Sequence, residues 1–152
     1  MNKYFNIFFL LLCLVESSAI GQVLENNGGF INAEPGSFVY VNGSVLNGTN
    51  GVLDVDGTMN SNAELYVSED ITNDAAFIAN GHVRLLGNWF NNFAFDSNFG
   101  TVFFEGGNQL ISGNAETHFF NITLDGYGLK TQEIDAFSEG ILDLKHLELQ
   151  TE

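Results

Sequence analysis

The sequence predicts an all-β protein, a right-handed parallel β-helix (β-solenoid) with coils of about 20 residues. Apolar residues recur at that interval in two ladders. The ladders are Val45, Leu65, Leu85, Phe104, Leu124 and Leu144, and Val52, Ile71, Phe90, Leu110, Leu129 and Leu149. Gly and Asn also punctuate every repeat, in pairs such as Asn50-Gly51, and these residues accept the positive φ that tight turns require.

Each repeat reads as an apolar-x-apolar strand, a turn and a second short strand, as in VRLLGNWF and ITLDGYGLKT. At about 3.3 Å per residue, such a unit makes a circuit of about 65 Å, and stacked circuits pair at about 4.8 Å. Six coils therefore predict a rod about 25–30 Å long. Leucine-rich repeats fit poorly, because 17 glycines interrupt the chain and no window sustains helical periodicity.

Residues 1–21 are expected to form a secretory signal peptide. An apolar run from Ile7 to Val15 follows a lysine, and the small residues Ala19 and Gly21 precede a cleavage site before Gln22. The apolar run is too short to span a bilayer, so no membrane insertion is predicted. Cys13, the only cysteine, lies within this run. The exported domain must therefore be held by packing and backbone pairing, without disulfides.

The rest of the chain is expected to form an N-terminal cap or linker, residues 22–37, and a solenoid, residues 38–152. The final coil, ILDLKHLELQTE, reaches Glu152 with both ladders filled and no polar cap behind it. An open coil presents unpaired backbone groups and an apolar edge. We therefore expect the solenoid to continue beyond Glu152 in a longer protein, or to dock its last coil on another protein chain.

The chain is strongly acidic, with 4 Lys and Arg against 19 Asp and Glu and a net charge of −15. Nucleic acid is excluded as a partner, because phosphate binding needs clustered Lys and Arg. The surface of an anionic membrane is disfavoured for the same reason. The negative charge does favour solubility and the accumulation of cations.

The stretch GTVFFEGGNQLISGNAETHFFNITLDG, residues 100–126, resembles a phrase of large secreted and surface proteins of the Bacteroidota, roughly G-T-V-x-F-x-G-x-x-Q-x-I-S-G and then T-x-F-x-N-L-x-L. The matching positions are Gly100, Thr101, Val102, Phe104, Gly106, Gln109, Ile111, Ser112, Gly113, Thr117, Phe119, Asn121 and Leu124, with Ile122 in place of the usual Leu. This resemblance implies an adhesin-like, β-helical passenger of type IX secretion. It supplies no catalytic residues.

Carbohydrate-cleaving enzymes also use β-helices, although a fold alone licenses no activity. Glycoside hydrolysis needs two carboxylates beside the sugar bond. Asp54 and Asp56 lie two apart in LDVDG, where a solvated strand edge is the simpler interpretation.

A uronate lyase would also need a cation to stabilise developing negative charge. Outside the signal peptide the cations are Arg84, Lys130 and Lys145. The ladder places Arg84 one coil after Glu64 and Lys145 one coil after Asp125, so cross-strand pairing accounts for both.

Other candidate sites receive structural interpretations. His82, His118 and His146 share no metal-ligand spacing. A weak calcium site is the alternative for the hard oxygens of Asp54, Asp56, Glu69, Asp70 and Asp74. A stacked polar ladder is predicted at Asp54, Asn73, Asn92, Ser112 and Thr131. Core filling is predicted for the aromatic residues Trp89, Phe90, Phe93, Phe95 and Phe99.

The sequence thus predicts an exported cell-surface or extracellular solenoid segment with a structural or adhesive role. We expect no catalytic, cofactor-binding or metal-binding residues and no cofactor. The alternative is a carbohydrate-binding or carbohydrate-cleaving β-helix. The expected partners are surface glycans or a protein chain on the last coil.

Overall fold

The computed structural model describes residues 22–151, whose parallel sheets stack as a β-solenoid of about six turns with about 21 residues per turn. The predicted fold class is confirmed. Residues 22–151 contain no helix with the length and apolar character that crossing a membrane requires. The expected signal peptide lies outside the described residues.

Each coil supplies three short strands, and the second coil adds a hairpin. The first three coils contain β1 (Gln22–Asn27), β2 (Phe30–Ala33), β3 (Phe38–Val41), β4 (Gly43–Gly48), β5 (Val52–Val55), β6 (Gly57–Thr58), β7 (Ser61–Asn62), β8 (Glu64–Val67), β9 (Ile71–Asn73), β10 (Ala76–Ala79) and β11 (His82–Leu85). The later coils contain β12 (Trp89–Asn91), β13 (Phe95–Asp96), β14 (Thr101–Phe104), β15 (Gln109–Gly113), β16 (Thr117–Phe119), β17 (Asn121–Leu124), β18 (Lys130–Gln132), β19 (Ala136–Ser138), β20 (Leu142–Asp143) and β21 (Leu149–Thr151).

The strands of successive coils pair in parallel to build three faces. Face 1 is the sheet β1-β4-β9-β12-β15-β18-β21, face 2 is the sheet β2-β5-β10-β13 together with the pair β16-β19, and face 3 is the sheet β3-β8-β11-β14-β17-β20. Turns at the corners keep the strands short. Asn50, in the predicted Asn50-Gly51 turn, adopts a φ of 64°.

Residues 22–37, predicted as an N-terminal cap or linker, begin the first coil. They contain β1 and β2, which pair with β4 and β5 of the next coil. The predicted boundary at residue 38 therefore falls inside the first coil. The polar composition of this segment is explained by its position, since several of its side chains face solvent on the outer surface.

The register agrees with the first predicted ladder only from the third coil onward. Leu85, Phe104 and Leu124 are register partners, as predicted. Leu65, however, pairs with Val83, and Val45 lies on face 1 opposite Ile71. These two assignments were wrong because the coils differ in length.

The cause is the antiparallel hairpin β6-β7, which interrupts the second coil between faces 2 and 3. Val41 pairs with Val67 on the far side of this hairpin, whereas Val67 pairs with Leu85 across a much shorter stretch of chain. The long coil and the short coil that follows it both depart from the apparent period. Residues separated by a constant step therefore still point inward, but they lie on different rungs and, at Val45, on a different face.

The second predicted ladder was also wrong. Ile71 pairs with Trp89 and Trp89 with Ile111 on the inner side of face 1, while Phe90 points outward opposite Thr72. Trp89 is 0% exposed. It packs against a cluster of aromatic rings whose centroids lie 4.8 to 6.5 Å away, namely Phe77, Phe95, Phe104 and Phe119. Burial of each such side chain contributes roughly 1.5–3 kcal/mol.

A buried ladder of asparagines runs along the inner side of face 1. The Nδ2 of Asn26 donates to Oδ1 of Asn47 at 3.0 Å, Asn47 donates to Asn73 at 2.9 Å, and Asn73 donates to Asn91 at 2.9 Å. Each also donates to a backbone carbonyl at or just before the start of a face 2 strand, as Asn73 does to Ala94 at 3.0 Å. The amides therefore tie neighbouring coils together.

The predicted polar ladder contained Asn73 correctly, and its other four members were wrong. Asn92 points outward, and Asn91 takes the inner position. The ladder stops there because Asn91 faces Gly113, where a φ of 135° and the carbonyl of Asn91 leave no room for a Cβ atom. Asn91 donates instead to the carbonyl of Glu116 at 2.9 Å.

Candidate ligand-binding groove

A groove lies at the corner between faces 2 and 3, where successive coils differ in length. The corner of the third coil has only Asn80 and Gly81 between its strands, whereas the coils on either side have the hairpin and a longer turn at residues 97–100. Because the short corner lies between two longer ones, it forms a groove of about 350 Å³. The groove is lined by Thr58, Met59, Asn62, Asn80 and Phe99.

The hairpin wall is fixed by its own hydrogen bonds. The hydroxyl of Thr58 accepts from the N–H of Ser61 at 3.1 Å and donates to its carbonyl at 3.0 Å. The carbonyl of Asn62 accepts from the N–H of Gly36 in the preceding coil at 3.1 Å. These bonds hold the fully exposed side chain of Met59 at the tip.

The opposite wall is Phe99, which is 67% exposed. Its ring meets the ring of Phe120 edge-on, with 6.4 Å between centroids. At the floor, the amide of Asn98 donates to Oδ1 of Asn80 at 3.2 Å. The groove therefore combines two apolar walls with uncharged amides.

Beside the groove, face 3 carries a stack of flat side chains on its outer surface. Tyr40 and Tyr66 stack with centroids 5.4 Å apart, and the guanidinium of Arg84 lies 3.8 Å above the ring of Phe103. These four residues are consecutive register partners, so the spacing of the strands sets the spacing of the planes. Their edges, rather than their faces, therefore point to solvent along most of the stack.

Arg84 is neutralised within this stack. Its Nε lies 3.3 Å from Oε1 of Glu64, and its Nη1 contacts Oε1 of Glu105. The predicted cross-coil pairing of Arg84 with Glu64 is confirmed, and the second carboxylate was not anticipated. Because two carboxylates and an aromatic ring surround Arg84, its guanidinium stabilises the packing of face 3 and is not free to bind an anion.

His82 connects the stack to the groove. Its Nε2 lies 3.1 Å from Nδ2 of Asn62 in the hairpin, and its ring meets Phe103 edge-on at 5.4 Å. Burial and the neighbouring Arg84 charge lower the pKa of His82, while Glu64 opposes the shift. The neutral imidazole can accept a hydrogen bond from the Asn62 amide, which protonation at Nε2 would prevent.

Asp54 and Asp56, considered for catalysis and interpreted as a solvated strand edge, lie near each other on the outer side of face 2. Asp54 is on β5, and Asp56 follows the strand, where its Oδ1 accepts from the N–H of Gly57 at 2.7 Å. Burial, with smaller contributions from Asp56 and Glu34, raises the pKa of Asp54. Its Oδ1 is buried without a hydrogen bond partner in the described structure. Asp56 therefore stabilises the turn through its hydrogen bond to Gly57, whereas burial and neighbouring carboxylates destabilise the ionised form of Asp54.

The other calcium candidates have separate hydrogen-bond partners. Glu69 accepts from the hydroxyl of Ser44 at 2.9 Å, Asp70 from the N–H of Asn88 at 2.6 Å, and Asp74 from the amide of Asn92 at 2.7 Å. Within residues 22–151, no three His, Cys, Asp or Glu side chains form a group that could hold a metal ion.

The two lysines differ sharply. Lys130 is buried, and its Nζ donates to the carbonyls of Gly106 at 2.9 Å and Gly107 at 2.8 Å. Burial lowers the pKa of Lys130. Lys145 pairs with Asp143 of its own coil at 2.7 Å, not with Asp125 as expected.

The remaining histidines lie apart from the groove. His118 stacks on Phe137 with 4.7 Å between centroids and lies 3.2 Å from Glu116 and 3.5 Å from Glu139. His146 is exposed in the last coil. The three histidines do not converge, so each is a separate surface group.

Core filling is confirmed for Trp89 and Phe95 and is wrong for the other three aromatic residues. Phe90 is half-buried on the outside, and Phe93 and Phe99 are exposed. Met59 and Asn62 of the groove were not anticipated from the sequence. The only indication in the sequence was the extra segment GTMNSN in one repeat, whose composition predicts a turn and nothing more.

No family model, curated protein or solved structure matches the chain in comparisons of its sequence and structure.

Proposed function

We propose that this protein is an exported cell-surface or extracellular solenoid with a structural or adhesive role and without catalytic activity. The proposal rests on the contrast between a regular interior and one irregular outer corner. The interior repeats its amide ladder coil after coil, whereas the hairpin holds Met59 fully exposed opposite the exposed Phe99. Because these two side chains line opposite walls of one groove, they form a shared apolar surface that is suited to contact another molecule.

The test is peptide mapping and intact-mass analysis of secreted, surface and periplasmic fractions of the source cells. The expected product begins at Gln22 and is found in the surface or secreted fraction. An uncleaved product confined to the cytoplasm would contradict the proposal.

A second candidate function, carbohydrate binding, is favoured by the groove. Its uncharged amides and aromatic wall resemble the mixture of apolar lining and a few polar groups that small ligand sites use. Cleavage is tested separately with a panel of neutral and uronate polysaccharides. We expect no release of reducing sugar or unsaturated product. Release by the wild type that Asp54→Asn abolishes would instead assign an enzyme.

A further inference from the structure

We propose that the groove between the hairpin and Phe99 binds one neutral sugar unit of a glycan. This inference rests on the proposed adhesive function and assigns it a site and a ligand class. The groove is placed by coil geometry, since a two-residue corner lies between two longer ones. Its volume, about 350 Å³, lies within the range of small-ligand clefts.

The charge of the lining selects the ligand. The chain carries a net charge of −15, yet none of the five groove residues is ionisable. An anionic ligand would meet the repulsion of the whole molecule without a local cation to offset it. A cation would be attracted more strongly to the carboxylates elsewhere on the surface than to this uncharged groove. The groove therefore favours an uncharged ligand.

The polar groups favour a ligand rich in hydroxyls. A hydroxyl both donates and accepts, and the amides of Asn62 and Asn80 keep hydrogen-bonding capacity beyond their contacts with His82 and Asn98. The exposed ring of Phe99 offers an apolar surface to the C–H face of a sugar. A purely apolar side chain of a peptide would use the walls but leave the remaining hydrogen-bonding capacity of the amides unused, at a cost.

The site is largely formed before a ligand arrives. Thr58 closes the hairpin, the carbonyl of Asn62 accepts from Gly36, and the side chain of Asn62 lies within hydrogen-bond distance of His82. Hydrogen bonds to the coils on both sides thus hold the wall. Binding would need little additional ordering of the chain, which is the main cost that weakens flexible sites.

The experiment measures binding of the full exported chain to neutral oligosaccharides, matched uronate oligosaccharides and a library of apolar peptides. The variants are Met59→Ser and Phe99→Ser, with Phe93→Ser as a control, because Phe93 is an exposed aromatic residue at another corner. We expect neutral oligosaccharides to bind. Phe99→Ser should weaken binding about tenfold, Met59→Ser by a smaller factor, and Phe93→Ser should not change it.

Absence of binding to neutral oligosaccharides, preference for peptides or uronates, or equal loss in the Phe93→Ser variant would overturn the assignment. Unaltered melting temperatures of the three variants would show that loss of binding is not loss of folding. Surface attachment distinguishes the two proposals. An exported wild type that adheres equally well after Phe99→Ser would refute the groove and leave the adhesive role, whereas a wild type that is not exported would refute the function itself.

Discussion

The ammonium of Lys130 donates a hydrogen bond to Oε1 of Gln109, its register partner in the preceding coil, at 2.6 Å. Gln109 in turn donates to the carbonyl of Leu85 at 3.1 Å and accepts from the N–H of Gly106 at 2.9 Å. Two different side chains thus perform one task at the same corner of successive coils. Each donates to backbone carbonyls at this corner, of which those of Leu85 and Gly106 also accept a backbone N–H.

Lys130→Ala should destabilise the fold by about 1–3 kcal/mol, because it leaves the carbonyl of Gly107 without a donor. The carbonyl of Gly106 loses one of two donors and keeps the N–H of Tyr127. Lys130→Gln should recover at least part of the loss, since an amide already performs this task at Gln109. The free energy of unfolding in urea measures both. Equal stability of the alanine variant and the wild type would show that the hydrogen bonds from Lys130 to the backbone carbonyls do not stabilise the fold.

The asparagine ladder predicts a position-dependent cost of removing an amide. Asn73→Ala should lower the free energy of unfolding by about 3 kcal/mol, because it leaves one amide N–H of Asn47 and Oδ1 of Asn91 without their partner inside the solenoid. The carbonyl of Ala94 loses one donor and keeps the N–H of Phe77. The control is Asn92→Ala on the outer side, which should cost no more than about 1 kcal/mol. Equal costs for the two variants would contradict the observed register.

Trp89 and Phe90 provide a second test of which residues point inward. Trp89→Ala should cost about 3–5 kcal/mol, and Phe90→Ala about 1 kcal/mol. Trp89 is the only tryptophan, so its fluorescence should be blue-shifted and protected from soluble quenchers in the native state. A larger loss of stability for Phe90→Ala would restore the ladder predicted from sequence.

His82 should make stability fall as the pH is lowered. Its native pKa lies below 6.5, so the unfolded chain binds more protons as the pH falls through 6.5. The free energy of unfolding should therefore decline from pH 7 toward pH 5, and His82→Gln should remove this component. Asn62→Ala, which deletes the hydrogen-bond partner and keeps the titrating ring, is the matched control. An unchanged pH profile in His82→Gln would refute the prediction.

Asp54 should act in the opposite direction. Its native pKa is raised above 3.8, so the folded protein loses stability as the pH rises through that range, and the penalty persists at neutral pH. Asp54→Asn should therefore be more stable than the wild type at pH 7, with a difference that shrinks toward pH 4. Asp96→Asn, at the exposed next rung beyond Ile78, should change stability by less than about 0.5 kcal/mol.

The repeat period and the turn residues were enough to predict the fold class. They were not enough to predict which residues of successive coils are register partners. Trp89 and Phe90 are both aromatic, so alternation alone cannot decide which one points inward. The neighbouring residue Asn91 does not help to decide between them, because it is a buried amide and breaks the apolar pattern that marks a core-facing strand. Inward asparagines become recognisable only once the coils are stacked and their amides meet.

The groove was beyond the sequence analysis for a different reason. Thr58 and Asn62 are ordinary turn residues, and Phe99 lies in an aromatic segment that also fills the core. What brings them together is the unequal length of neighbouring coils, visible only when the register is known. The Arg84 pairing was predictable in part, since Glu64 lies one coil earlier whichever rung it occupies.

The parallel pairing of coils also determines how the molecule would bear mechanical load. Hydrogen bonds between coils point along the solenoid axis, so a pull along that axis strains the rungs between two adjacent coils first. Coils would then peel away one after another at modest force. A pull across the axis would have to shear many rungs of a face at once. The solenoid would thus resist a force applied across its axis better than a force applied along it.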